Sequence, residues 1–167
     1  AAEGEESNKG ILSYNVEILQ VPTNIEILFE TQNVEPGTNL KVKTILHDQA
    51  GENIESTSRI LLKDSKGNLR EQTEILTGGF FEFPILFNEP PAEWSVEVTS
   101  GEIASNSRFR IIEKAAIKTE ILNRTLIITN VGNVPYCDKS LLVKIGEYST
   151  NVDLCLDVGK SKKYVLV

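Results

Sequence analysis

The sequence predicts an all-β protein built from two tandem antiparallel β-sandwiches. Three observations favour this fold class: apolar and polar residues alternate with a period of two along most of the chain, helical periodicity is scarce, and turn residues recur about every ten positions. A parallel βαβ fold would need helices of about ten or more residues between its strands. The sequence leaves no room for such helices.

The first predicted sandwich covers residues 11–113 and follows a flexible acidic lead at residues 1–10. Alternation is clearest in residues 40–46 and 94–99, as expected for a strand with one face toward a core and one toward water. The predicted strands are residues 11–20, 24–31, 40–46, 56–64, 69–77, 80–87, 94–99 and 103–112. The predicted turns are Glu35-Pro36-Gly37, Asp48-Gln49-Ala50-Gly51, Asp64-Ser65-Lys66-Gly67, Thr77-Gly78-Gly79 and Ser100-Gly101-Glu102.

The second predicted sandwich is smaller and covers residues 114–167, after a charged, small-residue step at residues 113–116. Its predicted strands are residues 116–122, 124–130, 140–146, 148–156 and 161–167. About 50 residues bury little surface on their own, so this sandwich needs the first one, more chain or a cross-link for its stability. Because the chain has no Met and its last residues read as a strand, we expect a processed or excised piece of a longer protein, with the second sandwich truncated.

Composition and charge exclude several classes of partner. The 167 residues include 17 Lys and Arg against 24 Asp and Glu, for a net charge of −7 and an isoelectric point near 4.9. Without a Lys/Arg cluster, neither nucleic acid nor an anionic membrane surface is an expected partner. No apolar run approaches the roughly 18 residues that would cross a bilayer, so membrane insertion is not expected in this segment.

Residues 34–112 present an ordered series of motifs: Glu35-Pro36-Gly37 before a strand, two Asp-x-x-Gly turns, Thr77-Gly78-Gly79-Phe80, a Trp94 strand and a last strand with Phe109. This order resembles that of macroglobulin-type and bacterial Ig-like modules. The chain lacks the Cys-Gly-Glu-Gln thioester motif and a protease bait segment. The resemblance therefore implies an Ig-like sandwich and not the trapping of proteases.

The second predicted sandwich contains two further motifs. They are Asn130-Val131-Gly132-Asn133, which follows a strand, and Gly159-Lys160-Ser161-Lys162-Lys163-Tyr164, which lies near the end of the chain. These motifs resemble those of the cell-adhesion-related Ig-like repeats of archaeal and bacterial surface proteins. The resemblance implies an extracellular scaffold or adhesion role in a larger protein with several tandem domains. It does not indicate a ligand.

The residues give little support for catalysis or for a metal site, and we expect no catalytic residue, metal or cofactor. His47 is the only histidine, and neither a Gly-x-Ser-x-Gly elbow nor a His-Glu-x-x-His motif accompanies it. One histidine with Cys137 and Cys155 also lacks the paired spacing of structural zinc sites. The two Asp-x-x-Gly turns raise the alternative of calcium, with Asp64 as a ligand, but simple hairpin turns explain them better.

Cys137 and Cys155 are predicted to form a disulfide, which would stabilise the small second sandwich and indicate an oxidising compartment. The alternative is two unlinked cysteines, with Cys155 buried and Cys137 free. Asn123-Arg124-Thr125 is the only sequon and lies in a predicted tight turn, so Asn123 is a candidate glycosylation site. Such triplets also occur by chance.

Aromatic residues at positions 80–94 allow two interpretations. Alternation predicts that Phe81 and Phe83 pack with Trp94 in the core, whereas exposure of Phe80 and Phe87 would make them a candidate contact surface.

The sequence therefore predicts a non-enzymatic extracellular structural or adhesion module of a larger cell-surface or secreted protein, with a protein or envelope component as partner. The alternative is a carbohydrate-binding or accessory module of a secreted hydrolase, which would need an exposed aromatic platform. A third and weaker interpretation is a macroglobulin-type inhibitor or effector module.

Overall fold

The computed structural model describes residues 19–166, which contain fourteen β-strands and no helix. The strands are β1 (Pro22–Phe29), β2 (Asn33–Val34), β3 (Asn39–Asp48), β4 (Asn53–Ile54), β5 (Thr57–Lys63), β6 (Leu69–Leu76), β7 (Phe80–Pro84), β8 (Ala92–Ser100), β9 (Ile103–Ile111), β10 (Ile117–Leu122), β11 (Thr125–Asn130), β12 (Tyr136–Ile145), β13 (Tyr148–Leu156) and β14 (Ser161–Val165). The predicted all-β class, with antiparallel sheets consistent with a sandwich, is confirmed.

The first nine strands form two sheets. In one sheet, β3 pairs with β1, β4 and β7, and the other has the strand order β2-β9-β8-β5-β6. All pairings are antiparallel except that of β2 with β9. This parallel pair places β2 beside the last strand before the connection to residues 117–166.

The core of this half is an aromatic and aliphatic cluster from both sheets. The Trp94 ring lies 6.0 Å from that of Phe109 and 6.4 Å from that of Phe83, and Phe29 extends the row at 5.7 Å from Phe109. These tilted contacts at 4.5–7 Å are the arrangement that aromatic rings prefer. The predicted core positions of Phe81, Phe83 and Trp94 are confirmed.

The last five strands form two smaller sheets. One has the order β10-β11-β14, and the other is the β12–β13 hairpin. The separate hydrophobic cluster between them has only four buried members among the described residues, which are Leu126, Ile128, Leu154 and Leu156. The two clusters fit the predicted division near residue 113, although independent folding of two domains stays a prediction.

Most predicted strands agree with the structure, and the differences have physical causes. The segment predicted as residues 80–87 ends at Pro84, because the chain then turns so that Ile85 enters the core while Leu86 and Phe87 face solvent. Strand β12 begins at Tyr136, four residues before its predicted start. The predicted strand at residues 11–20 falls almost wholly, and the lead at residues 1–10 wholly, outside the described residues.

Candidate functional site

The loop between β11 and β12 joins the two halves of the chain. Its Asn133 side chain is buried, and its Nδ2 atom donates hydrogen bonds to the carbonyl oxygens of Glu89 at 2.9 Å and Ile112 at 2.8 Å. The Oδ1 atom accepts a bond of 2.7 Å from the Lys114 amide, and the Asn133 amide donates to the Lys114 carbonyl at 3.0 Å. One side chain thus connects the β7–β8 loop, the end of β9 and the connecting segment.

Asn130 fixes the same loop from its other end. Its buried Nδ2 donates to the carbonyls of Val134 and Leu156, and its Oδ1 accepts a bond from the Gly132 amide. Because every polar atom of this side chain has a partner, its burial carries no penalty for unsatisfied groups. Asn130 therefore holds the loop in the one shape that presents Asn133 to the first half.

Gly132 lies between these two asparagines in close backbone contact. A Cβ atom at this position would lie 2.2 Å from the Lys114 carbonyl oxygen and 2.8 Å from the Ala116 nitrogen. Only glycine fits there without displacing the connecting segment. We call Asn130, Gly132 and Asn133, with their backbone partners, the junction.

A chain of contacts links the junction to the first core. Glu89, whose carbonyl accepts from Asn133, forms an ion pair with the Arg70 guanidinium through its side chain. The guanidinium lies 4.5 Å from the centre of the Trp94 ring, and it is 3.7 Å from Asp64. The hydrogen bond to Glu89 raises the pKa of Arg70, so this side chain stays a cation. Trp94, Arg70, Glu89 and Asn133 thus form a continuous path from core to junction.

The two Asp-x-x-Gly segments are turns held by their own carboxylates. Asp48 Oδ1 accepts bonds from the amides of residues 50 and 52, and Asp64 Oδ1 accepts from those of residues 66 and 68. Burial alone would raise the pKa of Asp64. The hydrogen bonds from the Asn68 and Lys66 amides lower it by more, so the pKa lies below its usual value. Each carboxylate is therefore engaged by its own turn. Among residues 19–166, no group of three or more His, Cys, Asp or Glu side chains is arranged to hold a metal.

His47 is half-exposed next to the first of these turns. Its Nε2 lies 3.1 Å from Glu26 Oε1, and its Nδ1 lies 3.3 Å from the Gly51 carbonyl. The hydrogen bond with Glu26 raises the pKa of His47 above its ordinary value of 6.5. The ring connects β1, β3 and the turn, which is a positioning role within the sheet.

The predicted disulfide between Cys137 and Cys155 is present. The two residues lie directly opposite each other on β12 and β13, and both are exposed. The bridge therefore crosses the solvent face of the hairpin, and the alternative of a buried Cys155 is wrong.

Asn123 lies at the tip of the β10–β11 hairpin, where it and Arg124 both have positive φ angles, 51° and 61°. Two such residues form a type I′ hairpin turn, a conformation that Asn tolerates well. The side chain is exposed, so the sequon is sterically accessible. Its glycosylation stays a prediction.

The two exposed phenylalanines near β7 do not form a platform. Phe80 is 67% exposed and lies at the start of β7 under the Lys43 ammonium, whereas Phe87 is 46% exposed and lies beyond the other end of that strand, against Gly37. Of the aromatic residues at positions 80–94, Phe80 and Phe87 are exposed and lie apart, whereas Phe81, Phe83 and Trp94 lie in the core.

No protein-family model matches this chain, and a search of curated proteins finds no match. Within residues 19–166, no helix has the length and apolar character needed to cross a membrane.

Proposed function

We propose that this chain is a non-enzymatic, extracellular structural or adhesion module of a larger cell-surface or secreted protein. Its role is to hold binding surfaces at a fixed spacing for a protein partner or envelope component. The observation that carries the proposal is the junction, in which Asn133 spans the two halves with three side-chain hydrogen bonds. A flexible linker would contain no such buried side chain.

Strand order supports an Ig-like identity for the first half. A four-strand sheet of β1, β3, β4 and β7 faces the sheet β2-β9-β8-β5-β6, with β2 parallel to β9. Two sheets of this kind occur in immunoglobulin-type sandwiches and in many cell-surface domains that share no sequence similarity. A sandwich of this type exposes loops and sheet edges to partners, which fits a scaffold or adhesion module.

The Cys137–Cys155 bridge supports an extracytoplasmic location, because structural disulfides persist mainly in oxidising compartments. Mass spectrometry of protein isolated from the native envelope fraction tests this location. A mass that rises by about 2 Da on reduction, together with hexose on the Asn123 peptide, is the expected result. Free thiols and an unmodified Asn123 in the native protein would contradict the proposal.

Residual dipolar couplings test the spacer role directly. If the junction is rigid, amides of residues 22–111 and of residues 117–165 fit one alignment tensor. The Asn133→Ala variant is expected to give two different tensors, while Asn151→Ala, an exposed substitution on β13, should retain one. Two tensors in the unmodified chain would overturn the spacer role.

A carbohydrate-binding module is the second candidate, favoured only by the exposure of Phe80. A single ring beside Lys43 supplies one stacking contact and no platform. Calorimetry with soluble polysaccharides distinguishes this candidate, since binding that is lost in Phe80→Ala but kept in Phe87→Ala would support it.

A further inference from the structure

The second half of the chain is open on one side. Among the described residues, β12 pairs only with β13, and β10 pairs only with β11. Between them lies an apolar groove of about 500 Å³, which we call the β10–β12 groove. Its apolar lining includes Ile117, Ile121, Leu126, Ile128, Leu141 and Val143.

The exposure of these side chains shows that the groove is incompletely covered. On the β13 side of this half, Leu154 and Leu156 are buried, but Leu141 and Val143 on β12 are only half-buried. Ile121, which alternation places on the groove side of β10, is 53% exposed. An unpaired strand edge beside an apolar surface is the template that strand addition uses.

Residues 11–18 have the sequence that such a template accepts. Leu12, Tyr14, Val16 and Ile18 alternate with the polar residues Ser13, Asn15 and Glu17. A strand with this pattern pairs through its backbone while every second side chain enters the groove. Eight residues extend over about 26 Å, so the segment covers most of the ten-residue strand β12.

The first described residues lie far from the groove of the same copy, which favours a groove in a second copy. Gln49 accepts a bond from the Val21 amide and donates one to the Leu19 carbonyl, which fixes the chain against the Asp48–Gly51 turn. From there β1 runs about 23 Å to Phe29, at the end of the sandwich where β9 continues into the second half. Leu19, the first described residue, therefore lies at the end of the sandwich opposite the second half.

Charge favours contact between copies in a head-to-tail arrangement. Residues 114–167 carry eight Lys and Arg against five Asp and Glu, a net charge of +3, whereas residues 1–113 carry nine against 19, a net charge of −10. Residues 1–18 themselves have four Glu and one Lys. The acidic N-terminal part of the chain thus meets a half that is basic overall, although the groove wall itself carries both Lys144 and Glu120 and residues 11–18 carry only Glu17.

We propose that residues 11–18 of one copy add as a strand to the free edge of β12 in a second copy and fill its β10–β12 groove. Each copy then offers one segment and one groove, so the contact repeats head to tail. Such a heterologous contact produces open chains when its rotation does not close a ring. This inference goes beyond the proposed function, since it depends on the groove and the segment and not on location at a cell surface.

Sedimentation velocity of the full chain tests the proposal with two complementary variants. Val16→Asp places a charge on the apolar face of the donor segment, and Ile121→Glu places one in the groove. Each is expected to weaken self-association at least about tenfold. The control is Leu122→Glu, which changes the neighbouring residue, 59% exposed on the opposite face of β10, and should associate like the unmodified chain.

Mixing the two variants gives the sharpest outcome. Val16→Asp retains an intact groove and Ile121→Glu an intact segment, so an equimolar mixture is expected to form heterodimers and no larger species. A second measurement uses a fluorescent peptide of residues 11–18, which should bind Val16→Asp and bind Ile121→Glu at least about tenfold more weakly.

Three results would overturn the proposal. They are a monomeric unmodified chain at about 1 mM, association that neither variant weakens, and a mixture that stays monomeric. Binding of a different protein to the groove, unaffected by the peptide, would assign the groove to another occupant. The sedimentation result does not affect the measurement of alignment tensors at the junction. The self-association proposal and the proposed function can therefore be rejected independently of each other.

Discussion

The Asn133 side-chain nitrogen lies 2.9 Å from the carbonyl oxygen of Glu89, a residue 44 positions earlier in the chain. This bond connects loops of two halves whose hydrophobic clusters share no sheet. The relationship makes the junction the first place to test by substitution.

Asn133→Ala removes two donors and one acceptor and leaves their backbone partners unpaired in a partly buried place. We expect the free energy of unfolding to fall by about 2 kcal/mol. Urea denaturation followed by circular dichroism measures this loss. The Asn151→Ala control should change stability by less than about 0.5 kcal/mol, and equal effects of the two variants would contradict the role of the junction.

Gly132→Ala tests close packing at the junction without removing any hydrogen-bonding group. The added Cβ would lie 2.2 Å from the Lys114 carbonyl, so we expect a loss of about 2–3 kcal/mol in thermal or urea unfolding. Gly67→Ala is the comparison, since its site is open and only its φ of 83° is unfavourable, at a cost of about 1 kcal/mol. A smaller loss at Gly132 than at Gly67 would show that the connecting segment yields easily.

Arg70→Ala removes the cation over Trp94 and leaves the mostly buried Glu89 carboxylate without its partner. We expect a loss of about 2 kcal/mol and a red shift of the emission of Trp94, the only tryptophan. The double variant Arg70→Ala/Glu89→Gln should recover part of that loss, because no unpaired charge remains. If the loss of unfolding free energy in the double variant equals the sum of the losses in the two single variants, the ion pair does not couple the two residues.

Replacing both Cys137 and Cys155 with Ser tests the bridge on the hairpin. A closed loop of this size is worth about 3 kcal/mol in the chain-entropy model. The cluster of the second half, with four buried members among residues 19–166, offers little compensation. Hydrogen exchange should therefore speed up in β12 and β13 and stay unchanged in β5 and β8. Uniform acceleration across all four strands would show instead that the two halves unfold together.

His47 makes the stability of the fold depend on pH, and the direction of this dependence follows from its raised pKa. Stability from its bond with Glu26 is fully present below the unfolded-state pKa of about 6.5 and is lost as the pH rises through the higher folded-state pKa. The histidine signals in NMR should therefore titrate above 6.5, and at a lower pH in Glu26→Gln. The same midpoint in both proteins would exclude Glu26 as the cause.

Alternation predicted most of the fold because one face of each long strand meets the core. It missed β2 and β4, since two-residue strands contain no period. It also shortened β12, where a bulge between Asp138 and Leu141 interrupts the pattern. Local sequence thus predicts long regular strands and not the irregularities that tertiary contacts impose.

The candidate site was predictable only in its local parts. The Cys137–Cys155 pair and the two Asp turns depend on nearby residues, and their chemistry is visible in the sequence. The role of Asn133 was missed, because its partners are backbone carbonyls 21 and 44 positions away that any residue could supply. The motif Asn130-x-Gly132-Asn133 was the available signal, but from the sequence alone it indicated only a turn and a resemblance to adhesion-related Ig-like repeats.

Main-chain recognition at the junction has a consequence for how such proteins diverge. Asn133 contacts the carbonyls of Glu89 and Ile112 and the peptide groups of Lys114, none of which depends on a side chain. The surrounding sequence can therefore drift while the joint keeps its geometry, provided that the two asparagines and the glycine remain. These bonds therefore place no demand on the side chains of Glu89, Ile112 and Lys114.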